Sequence, residues 1–368
     1  MIYEYILLDS MGRKEKMIIF EGKIVYDEDD NEYCLEKQIG EGGFGKVYLA
    51  KWKSDNKKFA IKILDNSFSN EKAYTSFINE ITLASKISSR NVIKYEYTHT
   101  GEIFKELGPY IIMEYADNGS LEETLVRQKK IERQFSNEEL KNIFLNLAKG
   151  MKDINSKLIH RDIKPENILW VGEILKISDF GISKVSSDIT RTKTFKGYGS
   201  KKYSAPEVWQ MDRTTIKTDI YSMGIVFYEL ATLNYPYEVK NSKYNEVHLY
   251  KNILPLQQFN ENLSVEFIVL INKMLKKKAN ERFENWDEII DFINTVSISE
   301  KIIELEDIVN EAVSKQILCD IEKEKESLKI ERRNQEKTDF YSMVYYQYKT
   351  DILEKISEFG EKNTIVMR

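Results

Sequence analysis

Cysteine is nearly missing from this sequence. Of 368 residues only Cys34 and Cys319 are cysteines, and they form no CxxC pair. That sets aside a disulfide framework and a zinc site, and it fits a reducing compartment. Long apolar runs are missing too. A stretch such as Tyr110–Met113 is far too short to cross a bilayer. Met1–Ser10 has neither the basic start nor the extended apolar stretch of a signal peptide. These absences point to a cytoplasmic protein with no membrane partner. Positive charge is not in excess: 55 Lys and Arg against 60 Asp and Glu leave a net charge of −5. Nucleic acid is therefore not the expected main partner. Proline is scarce, and there is no internal repeat or low-complexity tract. What is present, 42% hydrophobic and 31% charged residues, can bury a core under a soluble surface. The length admits two modest domains or one large bilobal one.

Along the chain, Lys16–Tyr26 shows two apolar runs around a Glu21-Gly22 turn, which predicts short strands in a β-rich extension over 1–32. The acidic cluster Asp27–Asn31 marks a boundary. Strand-like patterns then dominate from Tyr33 to about Tyr115, with one helix near 70–87. Asn118-Gly119-Ser120 breaks the chain. From there to Val296 the helical period takes over, with Leu140, Phe144, Leu147, Ala148 and Met151 on one face. Charged, helix-favouring sequence fills 297–368. The expectation is a small β-rich lobe over 33–115, a larger helical lobe over 116–296, and a helical tail.

Three constellations carry chemistry. The first is Gly40-Glu41-Gly42-Gly43-Phe44-Gly45-Lys46-Val47. Glycines at this spacing let backbone approach phosphate, because no Cβ intrudes. An ordinary glycine-rich hairpin fits the motif equally well. A dinucleotide-binding turn needs a helix directly after the glycines, whereas Lys46–Ala50 is strand-like. The second is Lys62 in Phe59-Ala60-Ile61-Lys62, a strand lysine pointing away from Ile61 and Ile63. Alone it reads as a solvated face, and Glu80, in the helical stretch that follows, as a surface carboxylate. Together they can form an ion pair that aims Lys62 at a phosphate. The third is His160-Arg161-Asp162-Ile163-Lys164-Pro165-Glu166-Asn167, followed at close range by Asp179-Phe180-Gly181. Asp162 can accept a hydroxyl proton and Lys164 can neutralise a transferring phosphoryl group. Asn167 and Asp179 offer oxygen to Mg²⁺, which takes the rest of its shell from water and phosphate.

These strings resemble the signature set of eukaryotic-type protein kinases over roughly residues 33–296. The resemblance implies a bilobal α+β kinase fold that uses ATP and Mg²⁺. It implies a nucleotide site of Gly40, Glu41, Gly42, Gly43, Phe44, Gly45, Val47, Ala60 and Lys62. Met113 would be the gatekeeper, and backbone near Glu114 and Ala116 would bond the adenine. Lys62, Glu80, Asp162 and Lys164 would be catalytic, with Asn167 and Asp179 as metal ligands. Ala205-Pro206-Glu207 would close the activation segment, Arg282 would pair with Glu207, and Asp219 would brace the catalytic loop. Two departures are small: Phe59 opens a strand motif where Val is common, and Ser200 stands where Thr is common.

Lysine two positions after Asp162 is similar to the serine/threonine subgroup, which implies transfer to Ser or Thr of a protein substrate; dual specificity stays open. A scaffold that had lost catalysis would lack Lys62, Asp162 or Asp179, and all three are present. A small-molecule kinase of the same fold would lack the Ala-Pro-Glu segment. Thr190, Thr192 and Thr194, among Lys184, Arg191, Lys193 and Lys196, are expected autophosphorylation sites, with Arg161 receiving the phosphate. In the tail, Ile302, Leu305, Val309 and Ala312 form one stripe. Tyr341, Tyr345, Tyr348, Ile352, Ile356 and Phe359 form another. These stripes either pack back on the lobes or pair two chains into a homodimer.

Overall fold

The structure, a computed structural model, describes residues 3–8, 14–42, 45–64, 71–100, 108–180, 201–239 and 243–296; of 3–8 and 14–19 only the backbone is described. Chain contacts divide the molecule into Met1–Ile298 and Ser299–Arg368. The expected helical tail lies outside the described residues, as do Gly43, Phe44 and the three activation-segment threonines.

Strands β3 (Ile24–Tyr26), β4 (Glu32–Gly42), β5 (Gly45–Trp52), β6 (Lys58–Leu64), β7 (Tyr95–His99) and β8 (Tyr110–Glu114) form one sheet in the order β3-β4-β5-β6-β8-β7. The glycine-rich motif is the β4–β5 hairpin, with Gly40 opposite Val47 and Gly42 opposite Gly45. At Gly45 the residue type is obligatory: φ is +137° and a Cβ would fall 2.0 Å from the Ile63 carbonyl oxygen. Along β6 the side chains alternate. Phe59, Ile61 and Ile63 enter an outer core with Tyr33, Leu35, Tyr48 and Tyr110, while Ala60 and Leu64 join the core continuous with the helical lobe. Helix α1 (Glu71–Ala84) follows this strand.

In the N-terminal extension the strands divide between two sheets. The turn between the apolar runs is present, Lys23 N–H donating to the Phe20 carbonyl at 3.0 Å. The runs nevertheless join different sheets: β2 (Lys14–Ile19) pairs with β1 (Tyr3–Leu8), and β3 with β4. On β4 the strand β3 takes the edge of the six-stranded sheet, with Ile24 opposite Cys34 and Tyr26 opposite Glu32. Phe20 and Val25 are buried in the outer core, and the Tyr110 hydroxyl donates to the Tyr26 carbonyl at 2.6 Å. Residues 20–32 therefore pack as part of the small lobe, upstream of the boundary expected at 33.

The larger lobe holds α2 (Leu121–Lys130), α3 (Asn137–Asn155), α4 (Pro206–Trp209), α5 (Ile216–Thr232), α6 (Tyr244–Tyr250), α7 (Val265–Met274) and α8 (Trp286–Thr295). Ser120 with Glu123, and Ser136 with Glu139, form capping boxes that start α2 and α3. The predicted face of α3 is the buried one. From Thr218 to Thr232 every residue of α5 is buried, so this helix is the centre on which the lobe packs. Hairpin β9 (Ile168–Val171) and β10 (Ile174–Ile177) lies between catalytic loop and hinge.

Candidate active site

Lys62 lies on the inner face of β6 and is only 4% exposed. A buried ammonium needs a partner, and its Nζ lies 2.8 Å from Asp179 Oδ1. Burial by itself would raise the Asp179 carboxyl. The charge and hydrogen bond of Lys62, with His160 and Lys164 behind them, outweigh that effect and hold it below the usual carboxylate value. The backbone at Asp179 has φ +59°, a left-handed conformation costly for a residue with a side chain. Packing at Phe180 holds it there. That ring is fully buried and stacks on Tyr95 with centroids 4.8 Å apart.

The catalytic loop is built between α3 and β9. Asp219, in the first turn of α5, is completely buried. Its Oδ2 accepts from His160 N–H and from Asn155 Nδ2, both at 2.8 Å, and its Oδ1 accepts from Arg161 N–H at 2.9 Å. Burial lifts this carboxyl above its usual value, and these donors offset part of that. The three bonds pin Arg161 at φ +67°. His160 Nδ1 accepts from Asp162 N–H at 3.3 Å, which leaves Nε2 to donate to the Ser178 carbonyl at 3.0 Å. The Asp162 carboxylate is then fixed from two sides. Asn167 Nδ2 donates to its Oδ2 at 3.0 Å and to its carbonyl at 2.8 Å, and Lys164 Nζ lies 3.2 Å from Oδ2.

This arrangement fits a metal at Asn167 and Asp179. Asn167 turns its amide nitrogen to Asp162, so its amide oxygen, a hard ligand, faces elsewhere. No group of three or more His, Cys, Asp or Glu among the described residues could hold a metal alone. Two oxygen ligands of this kind suit Mg²⁺ that completes its shell with phosphate and water.

Glu80 Oε1 lies 3.6 Å from Arg161 Nη1, and a Lys62–Glu80 ion pair is not among those of the described residues. At the hinge, Glu114 is committed twice over. Lys176 Nζ lies 2.8 Å from both carboxylate oxygens, and Glu114 N–H donates to the Lys94 carbonyl at 3.0 Å. Ala116 keeps its backbone groups free of partners among the described residues, which suits adenine bonding there. Val47, Ala60, Met113 and Leu169 belong to one apolar cluster.

Sequence reasoning missed Tyr95, Leu169 and the hydrogen bonding of Asn155. Tyr95 meets Phe180, 85 residues further on, and Leu169 joins Val47, Ala60 and Met113 from the small lobe, so neither contact is visible in local sequence. The one local signal was the alternation along β9, which puts Leu169 on the face opposite the buried Ile168. The support beneath the site is as expected. Arg282 donates to both oxygens of Glu207 at 2.8 and 2.9 Å in a buried bidentate pair, and Thr218 donates to the same carboxylate.

Comparison with known proteins agrees with this geometry. The protein kinase domain family matches residues 33–293. A probable serine/threonine-protein kinase of Clostridium acetobutylicum is 31% identical over 271 residues, 72% of this chain and 40% of that protein. The serine/threonine-protein kinase Nek5 of Homo sapiens is 35% identical over 219 residues, 57% of this chain and 29% of its own length. The serine/threonine-protein kinase PknA of Corynebacterium glutamicum is 30% identical over 274 residues, 73% of this chain and 57% of its own. The chain thus spans less than two thirds of each of these relatives. The matched region contains the lysine strand, the braced catalytic loop and the buried Glu207–Arg282 pair, and on that coincidence of sequence and geometry the chain belongs to the protein kinase family.

Proposed function

We propose that the chain is a serine/threonine protein kinase that transfers the γ-phosphoryl group of Mg-ATP to protein hydroxyls. The observation that carries this reading is the Asp162 carboxylate, held by Asn167 and Lys164 on a loop braced by Asp219. A carboxylate so fixed can orient an acceptor hydroxyl and take its proton. Lys164, 3.2 Å away, offsets charge on the transferring group. Lys62 clamps nucleotide phosphates under the β4–β5 hairpin, where Gly40, Gly42 and Gly45 keep the backbone bare of side chains. Bound Mg²⁺ would supply charge neutralisation between phosphate oxygens at Asn167 and Asp179. Main chain at Ala116 and Glu114 would take the adenine. Glu80 orients Lys62 in the working enzyme, which requires α1 to exchange Arg161 for Lys62.

Autophosphorylation of Thr190, Thr192 or Thr194 belongs to the same reading. Arg161, whose Nε already donates to the Thr214 hydroxyl at 3.2 Å, would receive the phosphate. Pairing of two chains through the C-terminal helices would raise the local concentration of one activation segment at its neighbour's site. The cysteine content supports a cytoplasmic location, and among the described residues no helix is long and apolar enough to cross a membrane.

The test is incubation of the full chain with radiolabelled ATP, Mg²⁺ and a generic basic protein. Label on serine and threonine of the acceptor and on the chain itself is expected. An unlabelled acceptor alongside a labelled small alcohol or aminoglycoside would replace this reading with a small-molecule kinase. Light scattering on the full chain and on residues 1–296 decides the dimer.

A further inference from the structure

The indole of Trp286, the first residue of α8, is 2% exposed and donates through Nε1 to Asn155 Oδ1 at 2.6 Å. Asn155 is the last residue of α3, and its amide nitrogen donates to the Leu158 carbonyl at 3.0 Å and to Asp219 Oδ2 at 2.8 Å. Both N–H donors of this amide and its oxygen are therefore engaged. An indole N–H can only donate, so it meets the amide oxygen and the nitrogen is left to face the carboxylate. The reversed amide would set donor against donor at Trp286 and oxygen against oxygen at Asp219. Asp219 then passes the constraint on, accepting the Arg161 N–H next to Asp162. A continuous hydrogen-bonded path thus runs from the last described helix to the loop that carries Asp162, through donors and acceptors of one consistent polarity.

We infer that Trp286 and Asn155 are positioning residues for phosphoryl transfer, fixing the catalytic loop from α8 through the Asp219 carboxylate. The inference rests on the kinase reading. Neither side chain reaches the reacting atoms, so neither is catalytic, and their loss acts on the geometry of Asp162. Nucleotide binding between β4–β5 and the hinge lies outside the path, so the effect falls on kcat and leaves the KM for ATP alone. The two residues act in series, so their effects do not add.

The experiment is steady-state phosphoryl transfer by the full chain to one fixed protein acceptor, with thermal melting run on each variant. Wild type must first show transfer; if it labels no protein acceptor, the kinase reading fails and the relay is not what was refuted. With wild type active, Trp286→Phe is expected to lower kcat about three- to tenfold, the worth of one buried neutral hydrogen bond. The shape-conserving Asn155→Leu should lower it about tenfold or more, and KM for ATP should stay within about twofold in both. The double variant should match Asn155→Leu alone. A benzothiophene analogue of tryptophan at position 286 keeps the indole shape and lacks only the N–H, so it covers the case in which Trp286→Phe fails to fold. An unchanged kcat in the analogue, or effects that multiply in the double variant, overturns the relay.

Discussion

Tyr95 lies flat against Phe180, with ring planes 10° from parallel, and its hydroxyl donates to the Phe180 carbonyl at 3.4 Å. One side chain thereby touches both the ring and the backbone of the residue after Asp179. Tyr95→Ala should cost about 3 kcal/mol of stability, as buried aromatic truncations do, and should lower kcat because Phe180 loses the surface that keeps Asp179 in its left-handed conformation. Tyr95→Phe keeps the stack and loses only a long hydrogen bond, so it should cost less than about 1 kcal/mol. Urea denaturation and turnover on the two variants check this; equal losses would count against the stack as the holding contact.

Lys62→Met, Asp162→Asn and Asp179→Ala should each reduce transfer by at least about a hundredfold while leaving the fold intact, since each removes a fixed charge or ligand from the transition state. Asp179→Ala should also weaken Mg-ATP binding, measurable by calorimetry. Near-normal turnover in any of the three would remove that residue from the proposed mechanism.

The Glu207–Arg282 pair predicts both a mutational and a pH effect. Arg282→Met leaves a buried carboxylate without its cation and should cost about 3–5 kcal/mol. Burial works to raise the Glu207 carboxyl, but Arg282 and Thr218 overcome it and hold it below its usual value. A depressed carboxyl contributes stability above its unfolded pKa and loses it as pH falls through the folded one. Denaturation midpoints of wild type should therefore fall on acidification below about pH 4.5, and that component should be absent from Arg282→Met.

Lys277 is half-buried with a different kind of company. Its ammonium donates to the Val247 carbonyl at 3.0 Å and the Tyr237 hydroxyl at 3.1 Å, both neutral groups. Burial, with the Arg282 charge added, brings it down to about 7. Between that value and the ordinary lysine range, the unfolded chain holds a proton that the folded chain has released, so stability rises with pH there. Lys277→Met should flatten this rise, as read from melting temperatures in buffers from pH 6.5 to 9.5. The same slope in both proteins would place the titration elsewhere.

Removal of residues 1–32 should destabilise the small lobe, even though the family match begins at 33. Phe20 and Val25 leave the outer core, and the Tyr110 hydroxyl loses the Tyr26 carbonyl. The loss of two buried apolar side chains is worth about 3–6 kcal/mol at the usual transfer values. Limited proteolysis and melting of the shortened chain against a version beginning at Phe20 would show it.

Sequence by itself determined the candidate residues for the chemistry and on which kind of element each stands. Local rules suffice for that. Alternation put Lys62 opposite Ile61 and Ile63, the 3.6-residue period gave the buried face of α3, and strand-like residues after the glycines made the β4–β5 hairpin. The order of the signature strings identified Asp162, Asn167 and Asp179 as a set. Beyond the Glu207–Arg282 pair that the resemblance implied, tertiary structure decided which charges meet. Lys62 lies 117 residues from Asp179, and their 2.8 Å approach joins β6 to the segment just after β10. The same holds for Glu80 on Arg161, for Tyr95 on Phe180 and for Trp286 on Asn155. It also decided that Phe20 and Val25 belong to the small lobe, because the apolar residues they pack against, Leu35, Tyr48 and Tyr110 among them, come together only in the assembled sheet. Pairing across long sequence separation leaves no periodic trace in either partner, so the residues were legible and their partners were not.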